Sequence, residues 1–309
     1  MKILIATEKP FAPAAVQQIK EIIENAGFQP LLLENYKEKS ELLEAVKAAN
    51  AIIVRSDKVD KEVHEAAKDL KIVVRAGSGF DNVDTATATQ NGVCVMNTPG
   101  QNSNAVAELV FGMLIYVARS GFDGSSGSEL RGKKLGLHAF GYIGKIVARI
   151  AQGFGMEVYA YSPSLARNPE LGKEYGVTAV KTIEELYDKS DIVSLHTPLN
   201  ENTRGAVNYD LLSRMPKNGI LVNTARKEVV NEEDLLRIMD ERPKFKYATD
   251  IKVTNHEDAV AKYGNRYLAP VKKGGAQTVE ANVNAGLAAA TQIVKFFVDG
   301  DETFRVNPK

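Results

Sequence analysis

Four short segments place reactive or anion-binding side chains directly behind apolar runs. The first is Ala139-Phe140-Gly141-Tyr142-Ile143-Gly144, which follows the run Lys134 to His138. A glycine at 141 lets the backbone come close to a phosphate, and a glycine at 144 lets a following helix pack on its strand. A helix starting near Tyr142 points unpaired N–H groups at an anion, so the segment reads as a cradle for a dinucleotide pyrophosphate. The first glycine of the G-x-G-x-x-G pattern is Ala139 here, which fits only if φ is negative at that residue. The second segment is His196-Thr197-Pro198-Leu199 and the third is Asn223-Thr224-Ala225-Arg226, whose guanidinium suits two-pronged capture of a carboxylate. Asp250 is the fourth, after Tyr247 to Thr249.

About 20 positions beyond the glycines, a dinucleotide fold commonly carries an acid that hydrogen-bonds the adenine ribose. This chain has Tyr161-Ser162-Pro163-Ser164 there, with Arg167 nearby. Ser162 can bond a ribose hydroxyl without repelling a 2′-phosphate, so NAD and NADP both stay open; its other reading is a turn former before proline.

These segments need a framework that puts strand ends side by side. Short β-rich runs alternate with helical patterns twice along the chain. The first series is Ile3 to Ala6, Leu31 to Leu33, Ala51 to Val54, Ile72 to Val74 and Val93 to Met96. The second is Lys134 to His138, Val158 to Ala160, Ile192 to Leu195, Ile220 to Val222, Tyr247 to Thr249 and Tyr267 to Ala269. Such alternation predicts an α/β fold of two doubly wound parallel sheets. A helix carrying Val106, Leu109, Val110, Met113, Leu114 and Val117 is expected to connect the lobes. A last helix with Val279, Val283, Leu287, Ala290, Val294 and Phe297 is expected to return to the first lobe. Ser120 to Ser128 reads as a flexible connection. The expected division is a substrate domain, 1–98 with 284–309, and a dinucleotide-binding domain over 99–283.

The 309 residues are 44% hydrophobic, and 39 basic side chains balance 39 acidic ones. That balance gives no general attraction to nucleic acid or to an anionic membrane. Cys94 is the single cysteine, and no apolar run approaches the roughly 20 residues of a membrane span. The N-terminus lacks the pattern of a signal peptide, so a reducing cytoplasm is the expected setting. No cysteine, histidine and carboxylate set has metal-ligand spacing, so a metal is not expected.

With Val54-Arg55-Ser56, Arg75-Ala76-Gly77-Ser78-Gly79-Phe80-Asp81-Asn82-Val83-Asp84, Asn97-Thr98-Pro99-Gly100, Ala107-Glu108-Leu109 and Leu130 to Gly136 added in the same order, the chain resembles the D-isomer-specific 2-hydroxyacid dehydrogenases, and within them the phosphoglycerate dehydrogenases. The resemblance implies a Rossmann-type cofactor domain inserted in a flavodoxin-like substrate domain, and hydride transfer between a nicotinamide cofactor and C2 of a small 2-hydroxy or 2-oxo acid. The favoured pair is 3-phosphoglycerate and phosphohydroxypyruvate, the opening step of serine synthesis. It gives Arg226 the substrate carboxylate and carbonyl, and Arg55, Ser56, Gly77 and Asn104 substrate contacts. Arg55 with Arg75 would meet a phosphate. Ser78, Gly141, Tyr142, Ile143, Gly144, Ser162, His196, Thr197, Pro198, Thr224, Ala225 and Asp250 match cofactor-binding positions, Asp250 near the nicotinamide amide. A homodimer formed through the cofactor lobe is expected, without the regulatory domain of longer members.

The family's proton-transfer pair is replaced. Where it carries a histidine after the last strand, this chain has Pro270-Val271-Lys272-Lys273-Gly274-Gly275, and where it carries a glutamate beyond Asp250 there is Asn255. Counting back from Gly275 puts Lys273 on the histidine position, with Lys272 nearly as good. A lysine ammonium can protonate the developing alkoxide during carbonyl reduction; alcohol oxidation needs the neutral amine, whose ordinary pKa is about 10.4. His256-Glu257 is another route, although adjacent side chains usually point apart. His64 and His138 read as structural. Two alternatives stay open: a glyoxylate or hydroxypyruvate reductase of the same family, and a catalytically weak NAD-binding sensor.

Overall fold

The computed structural model describes all 309 residues, which divide into two units: residues 1–102 with 276–309, and 103–275. In the first unit, β1 (Lys2–Thr7), α1 (Pro13–Asn25), β2 (Gln29–Glu34), α2 (Lys39–Val46), β3 (Ala51–Val54), α3 (Lys61–Ala66), β4 (Ile72–Arg75), α4 (Thr85–Gln90) and β5 (Cys94–Asn97) alternate along the chain. The five strands pair in parallel in the order β2-β1-β3-β4-β5, the flavodoxin-like order. Ala51-Ile52-Ile53-Val54 is buried at every residue because helices cover both faces of the sheet.

The second unit contains α5 (Ser103–Ala118), β6 (Lys134–His138), α6 (Tyr142–Gly153), β7 (Glu157–Tyr161), α7 (Pro163–Arg167), α8 (Glu170–Lys173), β8 (Thr178–Ala179), α9 (Ile183–Lys189), β9 (Ile192–Leu195), α10 (Tyr209–Arg214), β10 (Ile220–Asn223), α11 (Glu232–Glu241), β11 (Lys246–Thr249), α12 (His256–Tyr263) and β12 (Tyr267–Leu268). Its parallel sheet runs β12-β11-β10-β9-β6-β7-β8. The order reverses between β6 and β9, and the carboxyl ends of strands beside such a switch point are where open α/β sheets bind ligands. In α6 the buried residues Gly144, Val147, Ala148 and Ala151 recur at helical spacing and form the face laid on the sheet.

The chain then returns to the first unit as α13 (Val279–Asp299), whose Thr278 hydroxyl accepts the Ala281 N–H at 3.1 Å as N-cap. Gly286 allows the close approach of α13 to α1, since a Cβ there would lie 2.7 Å from Ile19 Cδ1. One capped helix has no break at 283, so the second division falls before it, at Gly275, and the first falls at Asn102 rather than 98. The helix expected to connect the lobes is α5, the first element of the second unit, packed on α6.

The short strand β8 and helices α7 and α8 escape the periodicity reading because each is too short to show a period. The Ser120–Ser128 segment is less loose than its composition suggests. It opens with a 3₁₀ turn at Ser120–Phe122, and Asn265 Nδ2 donates to Asp123 Oδ2 at 3.1 Å.

Candidate active site

The β6–α6 turn is built for close approach. A Cβ at Gly144 would lie 2.8 Å from the Ala139 carbonyl oxygen, so only glycine lets α6 start this close to the end of β6. Gly141, the N-cap of α6, is different. A Cβ there would meet no protein atom within 4 Å, so the fold itself does not demand glycine at 141. The first turn of α6 carries no acidic residue to compete for its N–H groups. Tyr142 is exposed and Ile143 partly buried at this end. Ala139 corrects the sequence expectation: its φ is +84°, a left-handed conformation that alanine adopts at a cost. The turn keeps the glycine geometry without the glycine, and the Ala139 N–H bond to Tyr161 O at 2.9 Å holds it there.

At the end of β7, Ser162 is buried and caps α7, its Oγ accepting Leu165 N–H at 3.2 Å and lying 2.9 Å from Ser164 Oγ. The hydroxyl therefore has a structural task at the ribose position, and Arg167 falls in the last turn of the same helix.

The ends of β9, β10 and β11 expose a row of buried polar atoms with no protein partner: both ring nitrogens of His196, Thr224 Oγ1 and Asp250 Oδ1. Thr197 and Ala225 are buried beside them, and Pro198 is exposed. Burial, with a smaller contribution from His138, pushes the His196 imidazole down to about 3, so the ring is neutral. His138 is pushed down to about 4 by burial, and its Nδ1 lies 3.2 Å from Tyr187 Oη. It is a structural group, as is buried His64.

Asp250 gathers the remaining chemistry. It is 1% exposed, and its Oδ2 accepts the Gly275 N–H at 3.0 Å. Burial raises its pKa, opposed first by the charge of Lys273, then by the Gly275 N–H and by Arg226. The two cations expected to act on a substrate thus converge on one carboxylate. Both lysines are exposed; the charge of Lys273 acts on Asp250, and Lys272 is not among the groups that do. His256 packs on Tyr267, its Nδ1 3.1 Å from Tyr267 Oη, within the aromatic packing of Tyr267 and Tyr247.

In the first unit, Gly77 has φ +147°, and a Cβ on it would fall on the Arg75 guanidinium. Arg75 Nε donates to Arg55 O at 2.9 Å. Arg55, expected to face a phosphate, spends three donor contacts elsewhere: Lys9 O and Pro10 O, each at 3.0 Å, and Asn282 Oδ1. Ser56 is exposed next to it. Ser78 also lies in the first unit, its Oγ 3.0 Å from Asn102 Oδ1, whereas Asn104 lies in the second unit and donates to Glu108 Oε1 at 2.7 Å. No three histidine, cysteine or carboxylate side chains come together as a metal site, and no helix is long and apolar enough to cross a membrane.

Residues 113–270 match the family model for the D-isomer specific 2-hydroxyacid dehydrogenase NAD binding domain. The chain belongs to the D-isomer-specific 2-hydroxyacid dehydrogenases. Within this family it is 45% identical to an NAD+-bound 3-phosphoglycerate dehydrogenase from Entamoeba histolytica, with TM-score 0.88 over 100% of this chain and 99% of that one. It is 36% identical to the hydroxypyruvate reductase of Thermotoga maritima over 84% of this chain and 88% of the relative. It is 35% identical to the D-3-phosphoglycerate dehydrogenase of Methanocaldococcus jannaschii over 83% of this chain and 51% of that protein. The chain thus spans about half the length of several curated dehydrogenases it matches. NAD fits the second unit. Gly141 leaves room at a helix N-terminus where a pyrophosphate binds, and His196, Thr224 and Asp250 hold buried polar atoms that the protein leaves unpaired.

Proposed function

We propose that this chain reduces a small 2-oxo acid to the 2-hydroxy acid, and that phosphohydroxypyruvate, interconverting with 3-phosphoglycerate, is its substrate pair. The observation that carries the reading is buried Asp250, which accepts the Gly275 N–H two residues from Lys273 and feels the charges of Lys273 and Arg226. The nicotinamide, when bound, supplies or accepts the hydride. Gly141, Tyr142, Ile143 and Gly144 would hold the pyrophosphate, Ser162 the ribose, and Ser78, His196, Thr197, Pro198, Thr224, Ala225 and Asp250 the remainder. Arg226 grips the substrate carboxylate and polarises the C2 carbonyl, a task that a planar two-pronged donor performs better than an ammonium. Lys273 gives its proton to the oxygen on C2 as negative charge develops there. Asp250 keeps the loop of Lys273 in place through the Gly275 N–H. An acid that starts out protonated suits reduction, and oxidation needs Lys273 to lose its proton first.

The phosphate-bearing substrate is supported by the phosphoglycerate dehydrogenase relatives and by Arg75 beside Gly77. A second reading, a glyoxylate or hydroxypyruvate reductase, is favoured by the commitment of Arg55 to carbonyls and Asn282, which takes one cation away from a phosphate, and by the Thermotoga relative. Serine biosynthesis in the cytoplasm and a homodimer through the second unit, where Tyr116 and Phe122 pack edge to face on the exposed surface, complete the proposal. The test is a panel of phosphohydroxypyruvate, hydroxypyruvate, glyoxylate and pyruvate, each assayed with NADH and with NADPH. The proposal expects the highest kcat/KM for phosphohydroxypyruvate with NADH; a preference for an unphosphorylated acid supports the second reading instead. A serine at 162 in place of an acid predicts measurable turnover with NADPH as well.

A further inference from the structure

Asn223 ends β10, is fully buried, and is bonded in a way no packing role requires. Its side-chain Oδ1 accepts the Ala225 N–H at 3.0 Å, and its Nδ2 donates to Arg226 O at 3.0 Å and, more weakly, to Tyr247 Oη at 3.4 Å. An N–H on one side and a carbonyl on the other leave a single amide orientation. The side chain therefore staples the 223–226 turn from which the Arg226 guanidinium projects. Its main-chain carbonyl serves the neighbouring strand end. It accepts Asp250 N–H at 3.2 Å and the Thr249 hydroxyl at 3.0 Å, and Thr249 Oγ1 in turn accepts the Ile251 N–H at 3.1 Å. One residue thus sets the backbone of Arg226 through its amide and the backbone of Asp250 through its carbonyl.

We propose that Asn223 is a positioning residue for substrate capture, holding the 223–226 turn, and with it Arg226, through the bonds its side-chain amide makes to Ala225 N and Arg226 O. The inference rests on Arg226 being the carboxylate-binding residue. Serine at 223 is too short to reach both Ala225 N and Arg226 O, and aspartate keeps the shape but turns an acceptor toward the Arg226 carbonyl. When that aspartate is protonated, its O–H restores the donor.

The experiment compares wild type, Asn223→Ser, Asn223→Asp, Arg226→Lys and the double variant Asn223→Ser/Arg226→Lys. For Asn223→Ser we expect about a tenfold loss of kcat/KM carried mainly by KM for the 2-oxo acid, the size of one lost buried hydrogen bond, with a clearly smaller loss of NADH affinity through Ala225 on the same turn. In the Arg226→Lys background the serine change is expected to add almost nothing, because its effect passes through Arg226. Asn223→Asp is expected to regain activity as pH falls, relative to wild type. Calorimetric titration of oxalate, which cannot be reduced, onto the protein–NADH complex separates this claim from the choice of substrate: Asn223→Ser should weaken oxalate by a similar factor. Full additivity with Arg226→Lys, equal losses in NADH and oxalate affinity, or unchanged oxalate binding in a folded Asn223→Ser protein overturns the positioning role, even if the wild-type substrate proves unphosphorylated. If Asn223→Ser does not fold, the pH profile of the isosteric aspartate decides: no recovery at low pH overturns the proposal.

Discussion

The Gly275 N–H donates to Asp250 Oδ2 at 3.0 Å, and a Cβ on Gly275 would lie only 2.6 Å from the same oxygen. The loop that delivers Lys273 is thus tied to the carboxylate at a point where no side chain fits. Gly275→Ala should push the loop and Asp250 apart. A displacement of about 1 Å in a reacting group costs up to about 10²-fold in rate, so kcat should fall by about 10- to 100-fold. The melting temperature should fall by a few degrees, since a buried hydrogen bond is lost, which a thermal scan beside the rate assay checks.

Lys273→Met should lower the rate of 2-oxo acid reduction by about 10²-fold or more, the usual range for removing a general acid, and leave NADH binding intact. Lys272→Met should stay within about twofold of wild type, because Lys272 stands outside the group around Asp250. Steady-state rates together with NADH fluorescence titration distinguish the two. Equal effects from both substitutions would contradict the separation of the lysines.

Ala139 holds φ at +84° in the cofactor turn. Replacing it with glycine relieves the left-handed strain, worth about 1–2 kcal/mol, and returns part of that as chain entropy in the unfolded state. A net gain of about 0.5–1 kcal/mol is expected, read as a small rise in the melting temperature. Ala139→Val should lower it, since a β-branched residue tolerates this φ worse.

His138 and His196 are held neutral by burial, at about 4 and about 3 against an ordinary histidine value near 6.5. A depressed folded-state pKa contributes stability that is fully present above the unfolded value and is lost as pH falls through the folded one. Stability should therefore be flat above about pH 7 and decline between about pH 6.5 and pH 3, by an amount on the order of 3 kcal/mol for His138 and about 5 kcal/mol for His196. Urea unfolding across that range checks the slope, which His196→Gln should make shallower. An unchanged slope in that variant would show that His196 is not protonated on unfolding in the way its burial requires.

The strand ends were readable from sequence because short apolar runs followed by glycine, histidine, arginine or aspartate are local patterns. Gly144 was readable for the same reason, its contact with Ala139 being five residues away along the chain. The sign of φ at Ala139 was not, since it is imposed by the turn and by Tyr161 across β7. Nor could the sequence separate Lys272 from Lys273: the insertion after Pro270 leaves the register open, and the bond between Gly275 and Asp250, 25 residues apart, that favours Lys273 is visible only in the fold. Arg55 was readable as a cation, but the carbonyls of Lys9 and Pro10 that engage it lie 46 and 45 residues away. Asn223 sat in plain view inside a quoted motif. A polar residue closing the run Ile220-Leu221-Val222 was the available signal, and its two bonds are visible only once the turn is folded.

The central claim is that this chain moves a hydride onto C2 of a 2-oxo acid. Incubating it with NADH deuterated on the transferable position and with phosphohydroxypyruvate, then analysing the product by mass spectrometry, tests this most directly. The account predicts 3-phosphoglycerate carrying one deuterium at C2, formed by wild type and strongly reduced in Lys273→Met. Tight NADH binding with no deuterium in the product of any 2-oxo acid would contradict it and leave a nucleotide-binding protein without dehydrogenase activity.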